Sequence, residues 1–115
     1  MNDFMRPALY NANHNVQCTT KKKGPKKLYT IAGPICETAD TFQKKKLLNK
    51  INNNDFLFFN NVGAYGASMS SSYNTRPIIM ELIVNKKKYS IIRKKEIVEN
   101  QISKEKIPSW IKNIK

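Results

Sequence analysis

Several residue types that support catalysis or metal binding are scarce in this 115-residue chain. There is one histidine, His14, and only two cysteines, Cys18 and Cys36, whose spacing matches no zinc-binding motif, so no metal site is predicted. Nothing places His14 near a serine, so a Ser-His-Asp arrangement is not indicated. No run approaches the ~20 apolar residues that span a bilayer, and a signal-peptide pattern is lacking. We therefore expect a cytoplasmic protein with reduced thiols and no membrane partner.

Acidic residues and arginine are also few. The chain has 21 Lys and Arg against 8 Asp and Glu, a net charge of +13, which is compatible with a small basic nucleic-acid-binding module. However, arginine, the residue best suited to phosphate and base edges, occurs only as Arg6, Arg76 and Arg93. The lysines are grouped in residues 21–27, 44–50 and 86–88, where we expect solvated turns. We favour a solvated basic surface and no nucleic-acid partner, and keep the binding module as an alternative.

The apolar segments predict a mainly β fold. Residues 28–31 read as a strand closed by Gly33-Pro34, and residues 55–62 as a second strand. Residues 77–84 and 88–93 predict a hairpin, residues 96–104 a short helix, and Pro7 argues against a helix through Arg6. We expect one domain over residues 1–115 with a short helical tail at about 95–115, and no helix that could connect parallel strands.

Five side chains are candidates for chemistry. Arg6 and Tyr10 could both donate to one carboxylate. Cys36 and Glu37 follow the Gly33-Pro34 break, where a thiol can donate a proton and a carboxylate can bind an ammonium group. Tyr65 lies between Gly63 and Gly66, which permit close backbone approach. Taken singly, each is more simply a surface or core residue, and Cys18 is interpreted only as an inert buried thiol.

Three strings in this order are more specific: MNDFMRPALYNANH, GPICETADTF and GAYGASMSSSYNTRP. Together they resemble the C-terminal part of the alanine-racemase-like, pyridoxal-phosphate-dependent group IV decarboxylases, over Met1 to about Lys95. The resemblance implies the C-terminal β-barrel or sandwich domain of a fold-type III enzyme. Thr38-Ala39 replaces the usual Ser-Gly, and the lysines near residue 21 are unusual for the family.

The resemblance also implies residue roles. Cys36 would be the catalytic acid that protonates Cα after carbon dioxide leaves, and Glu37 would bind a distal ammonium group. Arg6 and Tyr10 would bind a distal carboxylate, and Tyr65 would lie against the pyridoxal 5'-phosphate cofactor and the substrate. Ornithine-type members usually carry Cys-Asp, whereas Glu37 with Arg6 and Tyr10 suits an amino-acid substrate such as meso-diaminopimelate. A fragment of an ornithine- or carboxynorspermidine-type decarboxylase is the nearest alternative.

The family's (β/α)₈ barrel, of about 250 residues, cannot fit in this chain. The Schiff-base lysine belongs to that barrel, and no lysine here matches its motif. Met1 corresponds to an interior position of the family, so we expect a partial chain from a truncated sequence, a split gene or an interior start. Alone it is expected to be inactive. The implied partners are the barrel domain of the same enzyme and, in the intact enzyme, a second copy forming a homodimer.

Overall fold

The computed structural model of the chain describes residues 1–20 and 23–113. They form two units, Met1–Ser70 and Ser71–Lys115. All three sheets are two-stranded and antiparallel, so the described structure is mainly β, as predicted. The expectation of one domain over residues 1–115 stays a prediction.

The first unit contains helix α1 and four strands. They are α1 (Arg6–Tyr10), β1 (Val16–Cys18), β2 (Lys26–Ala32), β3 (Thr41–Asn49) and β4 (Leu57–Phe59). Strand β1 pairs with β4, with Val16 opposite Phe59. Strand β2 pairs with β3 from Lys26 opposite Asn49 to Ala32 opposite Thr41, with an irregular register near Ile31. The segment connecting β2 to β3 therefore starts and ends at adjacent strand ends.

A small aromatic core holds the first unit together. Phe4 is 7% exposed and packs edge-on against His14, with ring centroids 4.6 Å apart. It also contacts Phe59 at 5.4 Å and stacks with Phe42 at 6.1 Å. His14 Nδ1 lies 3.1 Å from the carbonyl oxygen of Asn60, which gives this buried ring a polar partner. The core thereby fixes the chain immediately before α1.

The second unit is built on one hairpin. Strands β5 (Glu81–Asn85) and β6 (Lys88–Arg93) pair from Glu81 opposite Arg93 to Asn85 opposite Lys88, and Glu81 and Arg93 form an ion pair. Helix α2 (Val98–Ile102) and 3₁₀ turns at Tyr73–Thr75 and Ser109–Asn113 complete it. The predicted hairpin and short tail helix are confirmed, although residues 77–80 precede the strand. Residues 114–115 of the predicted tail lie outside the described residues.

Two local predictions were wrong. A helix does pass through Arg6, because Pro7 occupies its first turn, where the missing N–H is not needed and the fixed φ suits the helix. The lysines at 44–50 are not in a turn, since all but Lys50 belong to β3. Lysine stems can cover apolar surface while their amines stay in water, so such a strand is stable on an exposed sheet.

Smaller differences concern boundaries. The strand expected at 55–62 is limited to Leu57–Phe59. In the first lysine run, Lys26 and Lys27 begin β2, while Lys21 and Lys22 lie outside the described residues. No helix in the described part of the chain is long and apolar enough to cross a membrane. Across residues 1–20 and 23–113, no cluster of three His, Cys, Asp or Glu side chains could bind a metal ion.

Candidate active site

The segment from Gly33 to Asp40, here called the site loop, carries two of the candidate residues. Its ends are joined by a hydrogen bond from Gly33 N–H to the Asp40 carbonyl oxygen (2.9 Å). Inside it, Glu37 N–H donates to the Ile35 carbonyl oxygen (2.8 Å), and Asp40 N–H donates to that of Glu37 (3.0 Å). These hydrogen bonds within the turn give the loop a defined shape at the end of β2.

Cys36 and Glu37 lie at the outer side of the site loop, and both are exposed. The Cys36 thiol is free, as is that of half-buried Cys18. The Glu37 carboxylate accepts a hydrogen bond from Ala39 N–H (3.1 Å), which restrains its position while leaving it accessible. A thiol and a carboxylate are therefore presented side by side at the surface, and the roles predicted for them stay predictions.

Arg6 and Tyr65 are brought together from distant parts of the chain. The Arg6 guanidinium carbon lies over the Tyr65 ring, 5.2 Å from its centroid, in cation–π geometry. Among the described residues, the buried Nε of Arg6 has no hydrogen-bond partner. This contact places the Arg6 cation beside the Tyr65 ring.

Tyr65 is placed by a π-helical turn over Gly63–Ala67. Gly66 is buried in this turn, and a Cβ there would lie 3.3 Å from the Val62 side chain, so a larger residue would displace that neighbour. At Gly63 nothing lies within 4 Å of a built Cβ, so the approach is open. The Tyr65 side chain is 59% exposed. An aromatic face therefore stands at the surface beside accessible backbone.

Tyr10 ends α1 and is 62% exposed. Three surface cavities are lined by residues around Val16 and Leu48, around Asn11 and Lys45, and around residues 85–88. None of these three is lined by a candidate residue. The candidates thus comprise half-buried Arg6 with exposed Tyr65, the exposed neighbours Cys36 and Glu37, and exposed Tyr10.

Comparison with known proteins supplies the context for these groups. The family model for the C-terminal sheet domain of pyridoxal-dependent decarboxylases matches residues 1–63, more than half of the chain. The chain belongs to this family. A diaminopimelate decarboxylase of Helicobacter pylori is 44% identical over 101 residues, which cover 87% of this chain and 25% of the relative.

Solved structures agree. The diaminopimelate decarboxylase of Methanocaldococcus jannaschii superposes with a TM-score of 0.89 at 38% identity, covering 96% of this chain and 25% of that one. The Helicobacter pylori enzyme complexed with L-lysine gives a TM-score of 0.83 at 40% identity, covering 90% and 25%. The chain therefore spans about a quarter of the length of the relatives it matches.

The family's cofactor is pyridoxal 5'-phosphate, and part of this surface fits it. The exposed Tyr65 ring, beside the open approach at Gly63, offers a contact for a flat heteroaromatic group. Because Tyr65 lies on an open surface, its ring could contact the cofactor from one side only. The fit is to an edge of the cofactor and not to its full enclosure.

Proposed function

We propose that this chain is the C-terminal portion of a cytoplasmic diaminopimelate decarboxylase, which converts meso-2,6-diaminopimelate to L-lysine and carbon dioxide in lysine biosynthesis. The observation that carries the proposal is the similarity to diaminopimelate decarboxylases over 87% of the chain at 44% identity. The L-lysine complex of a relative supports the identity of the product.

Charge complementarity supports the substrate. The distal end of diaminopimelate carries a carboxylate and an ammonium group. Arg6 and Tyr10 donate to the carboxylate, and the Tyr65 ring lies beside the Arg6 guanidinium. The exposed Glu37 carboxylate pairs with the ammonium group. A carboxylate-binding arginine would have no partner in ornithine, whose distal end bears only an amine.

Proton transfer is assigned to Cys36. When bound, pyridoxal phosphate accepts the electron pair left at Cα as carbon dioxide departs. Cys36 then donates its thiol proton to Cα, and Glu37 holds the far end of the substrate so that Cα stays within reach of the sulfur. Tyr65 packs against the cofactor and substrate and keeps Arg6 oriented.

The remainder of the enzyme completes the site. Because the chain corresponds to about a quarter of its relatives' length, we expect the Schiff-base lysine and the enclosure of the cofactor to come from the barrel. We expect the isolated chain to leave the absorption spectrum of free pyridoxal phosphate unchanged. An absorption band of bound cofactor that persists after dialysis would contradict the assignment of cofactor binding to the rest of the enzyme.

The test is a chimera in which this chain replaces the matching quarter of the Helicobacter pylori enzyme, called the chimera below. It should release carbon dioxide and L-lysine from meso-diaminopimelate and leave ornithine unused. Cys36→Ala in the chimera is the matched inactive control. A folded, cofactor-loaded chimera that decarboxylates ornithine in preference would overturn the substrate assignment, and one that is inactive on both would overturn the proposed function.

A further inference from the structure

Asp40 is a buried carboxylate that the proposed reaction does not use. Only 2% of the residue is exposed, and it closes the site loop at the start of β3. Its Oδ2 accepts a hydrogen bond from Ile35 N–H at 2.7 Å, and its Oδ1 pairs with the N-terminal ammonium group of Met1. Burying a carboxylate costs folding free energy unless the carboxylate is paired and hydrogen-bonded. The contacts of Asp40 with Ile35 and Met1 meet this condition.

Gly33 faces the same carboxylate from the other end of the loop. A Cβ built on Gly33 would collide with both carboxylate oxygens of Asp40. The loop interior is therefore filled by the Asp40 side chain, and the absence of a side chain at Gly33 makes the room for it. The Asp40 carboxylate therefore bonds Ile35 N–H and lies against Gly33.

We infer that Asp40 is a positioning residue for the active site: its carboxylate, seated against Gly33, fixes Ile35 N–H and thereby sets the direction in which Cys36 and Glu37 project. Cys36 directly follows Ile35, so rotation of that peptide would redirect the thiol. The inference rests on the proposed function only for the roles of Cys36 and Glu37. The hydrogen-bonding part stands by itself.

Amide hydrogen exchange on the full chain tests this part. Asp40→Ala should speed exchange at Ile35 N–H at least tenfold, because a hydrogen bond to a charged acceptor is lost (roughly 1.5–3 kcal/mol, or about 10- to 100-fold). Asp40→Asn keeps an acceptor oxygen but not the charge that pairs with Met1, and should restore exchange to within about threefold of the parent. Unchanged exchange in Asp40→Ala, or an Asn variant as poor as Ala, would overturn the inference.

A matched control is available in the same unit. The Asp55 carboxylate also accepts a backbone hydrogen bond, from Asn52 N–H at 2.6 Å, in a turn remote in sequence from the site loop. Asp55→Ala should therefore leave Ile35 exchange unchanged. An equal acceleration there would mean general loosening and would overturn the specific role of Asp40.

Gly33→Ala provides a second, independent route if Asp40→Ala folds poorly. The added methyl group displaces the carboxylate, so Gly33→Ala alone should accelerate Ile35 exchange as Asp40→Ala does. In the Gly33→Ala, Asp40→Ala double variant the collision is gone, and the effect should be no larger than that of Asp40→Ala. Additive effects of the two substitutions on Ile35 exchange would show that Gly33 and the Asp40 carboxylate do not act through the same contact.

Kinetics in the chimera then separate positioning from stability. Asp40→Ala should lower kcat and raise KM, each about tenfold, because the proton donor and the ammonium-binding group both move. Asp40→Asn should restore both kinetic parameters. Asp55→Ala should change neither. Normal kinetics in Asp40→Ala would overturn the inference. An inactive parent chimera would instead refute the proposed function and leave the exchange results to decide the role of Asp40.

Discussion

Cys36 and Glu37 are adjacent in sequence, but the proposed reaction gives them separable roles. Glu37→Gln removes the charge that binds the distal ammonium group and should raise KM roughly tenfold with kcat largely kept. Cys36→Ala removes the proton donor and should lower kcat about 100-fold with little change in KM. Steady-state kinetics of the chimera on meso-diaminopimelate measure both. Identical effects of the two variants would argue against a division between binding and chemistry.

The five candidate residues were selected from sequence because the three strings that contain them resemble one family, and their roles stay predictions. Their arrangement in space could not be predicted. The contact of Arg6 with Tyr65 joins residues 59 positions apart, and no local pattern predicts it. Asp40 was missed because its role depends on burial within a loop. The one available signal was its place at the end of GPICETAD, where a short polar side chain can bond backbone within a turn.

At the core of the first unit, Phe4 should dominate stability. Phe4→Ala removes contacts with three aromatic rings and should cost about 3–5 kcal/mol of unfolding free energy. Phe56, which is 76% exposed, is the matched control, and Phe56→Ala should change stability by no more than about 0.5 kcal/mol. Urea unfolding of the dilute chain provides the measurement. Equal losses from both variants would mean that Phe4 is not the centre of the core.

Among the elements, those with apolar, β-branched residues and clear turn signals were predicted, and those of mixed character were not. Strand β2 and the β5–β6 hairpin follow from such runs. Strand β3 was missed because it contains Lys44, Lys45 and Lys46, and lysine has a low strand propensity. The pairing of β3 with β2 outweighs that propensity. Lys45, with φ of 53°, lies at the irregular part of the register, which interrupts the alternation that a sequence pattern needs.

The β5–β6 turn contains a correctable strain. Lys86 has φ of 54°, a left-handed conformation that costs a residue with a side chain about 1 kcal/mol. Lys86→Gly should stabilise the hairpin by about 0.5 kcal/mol once glycine's larger unfolded-state entropy is subtracted, and slow amide exchange in β5 and β6 roughly twofold. Lys87, outside the left-handed region, is the control, and Lys87→Gly should speed exchange. Faster exchange in Lys86→Gly and slower exchange in Lys87→Gly would show that the turn is not strained at Lys86.

For the molecule as a whole, large apolar side chains remain at the surface. On the hairpin, the cross-strand pairs Leu82 with Ile91 and Val84 with Tyr89 are all exposed. Because exposed apolar patches of this kind promote association, we expect the isolated chain to self-associate, with an average mass in sedimentation that rises with concentration. A constant monomeric mass at high micromolar concentration would contradict this expectation.

The candidate residues raise the question of which subunit's active site each one serves. The family resemblance implies a two-fold dimer with active sites at the interface. On that basis we expect Arg6, Tyr10 and Tyr65 to complete one site while Cys36 and Glu37 reach the site of the other subunit. Two-fold symmetry makes this exchange reciprocal. Chimeras carrying Arg6→Ala or Cys36→Ala should each be nearly inactive alone.

Mixing these two chimeras distinguishes shared from separate sites. A mixed dimer then has both lesions in one site and none in the other. Random pairing makes half of the dimers mixed, each with one intact site of two, so about a quarter of the parent activity should return if subunits exchange freely. Differently tagged chains establish that exchange has occurred. If tagged heterodimers form and activity does not return, Arg6 and Cys36 belong to the same subunit's site, and the site is not shared across the dimer.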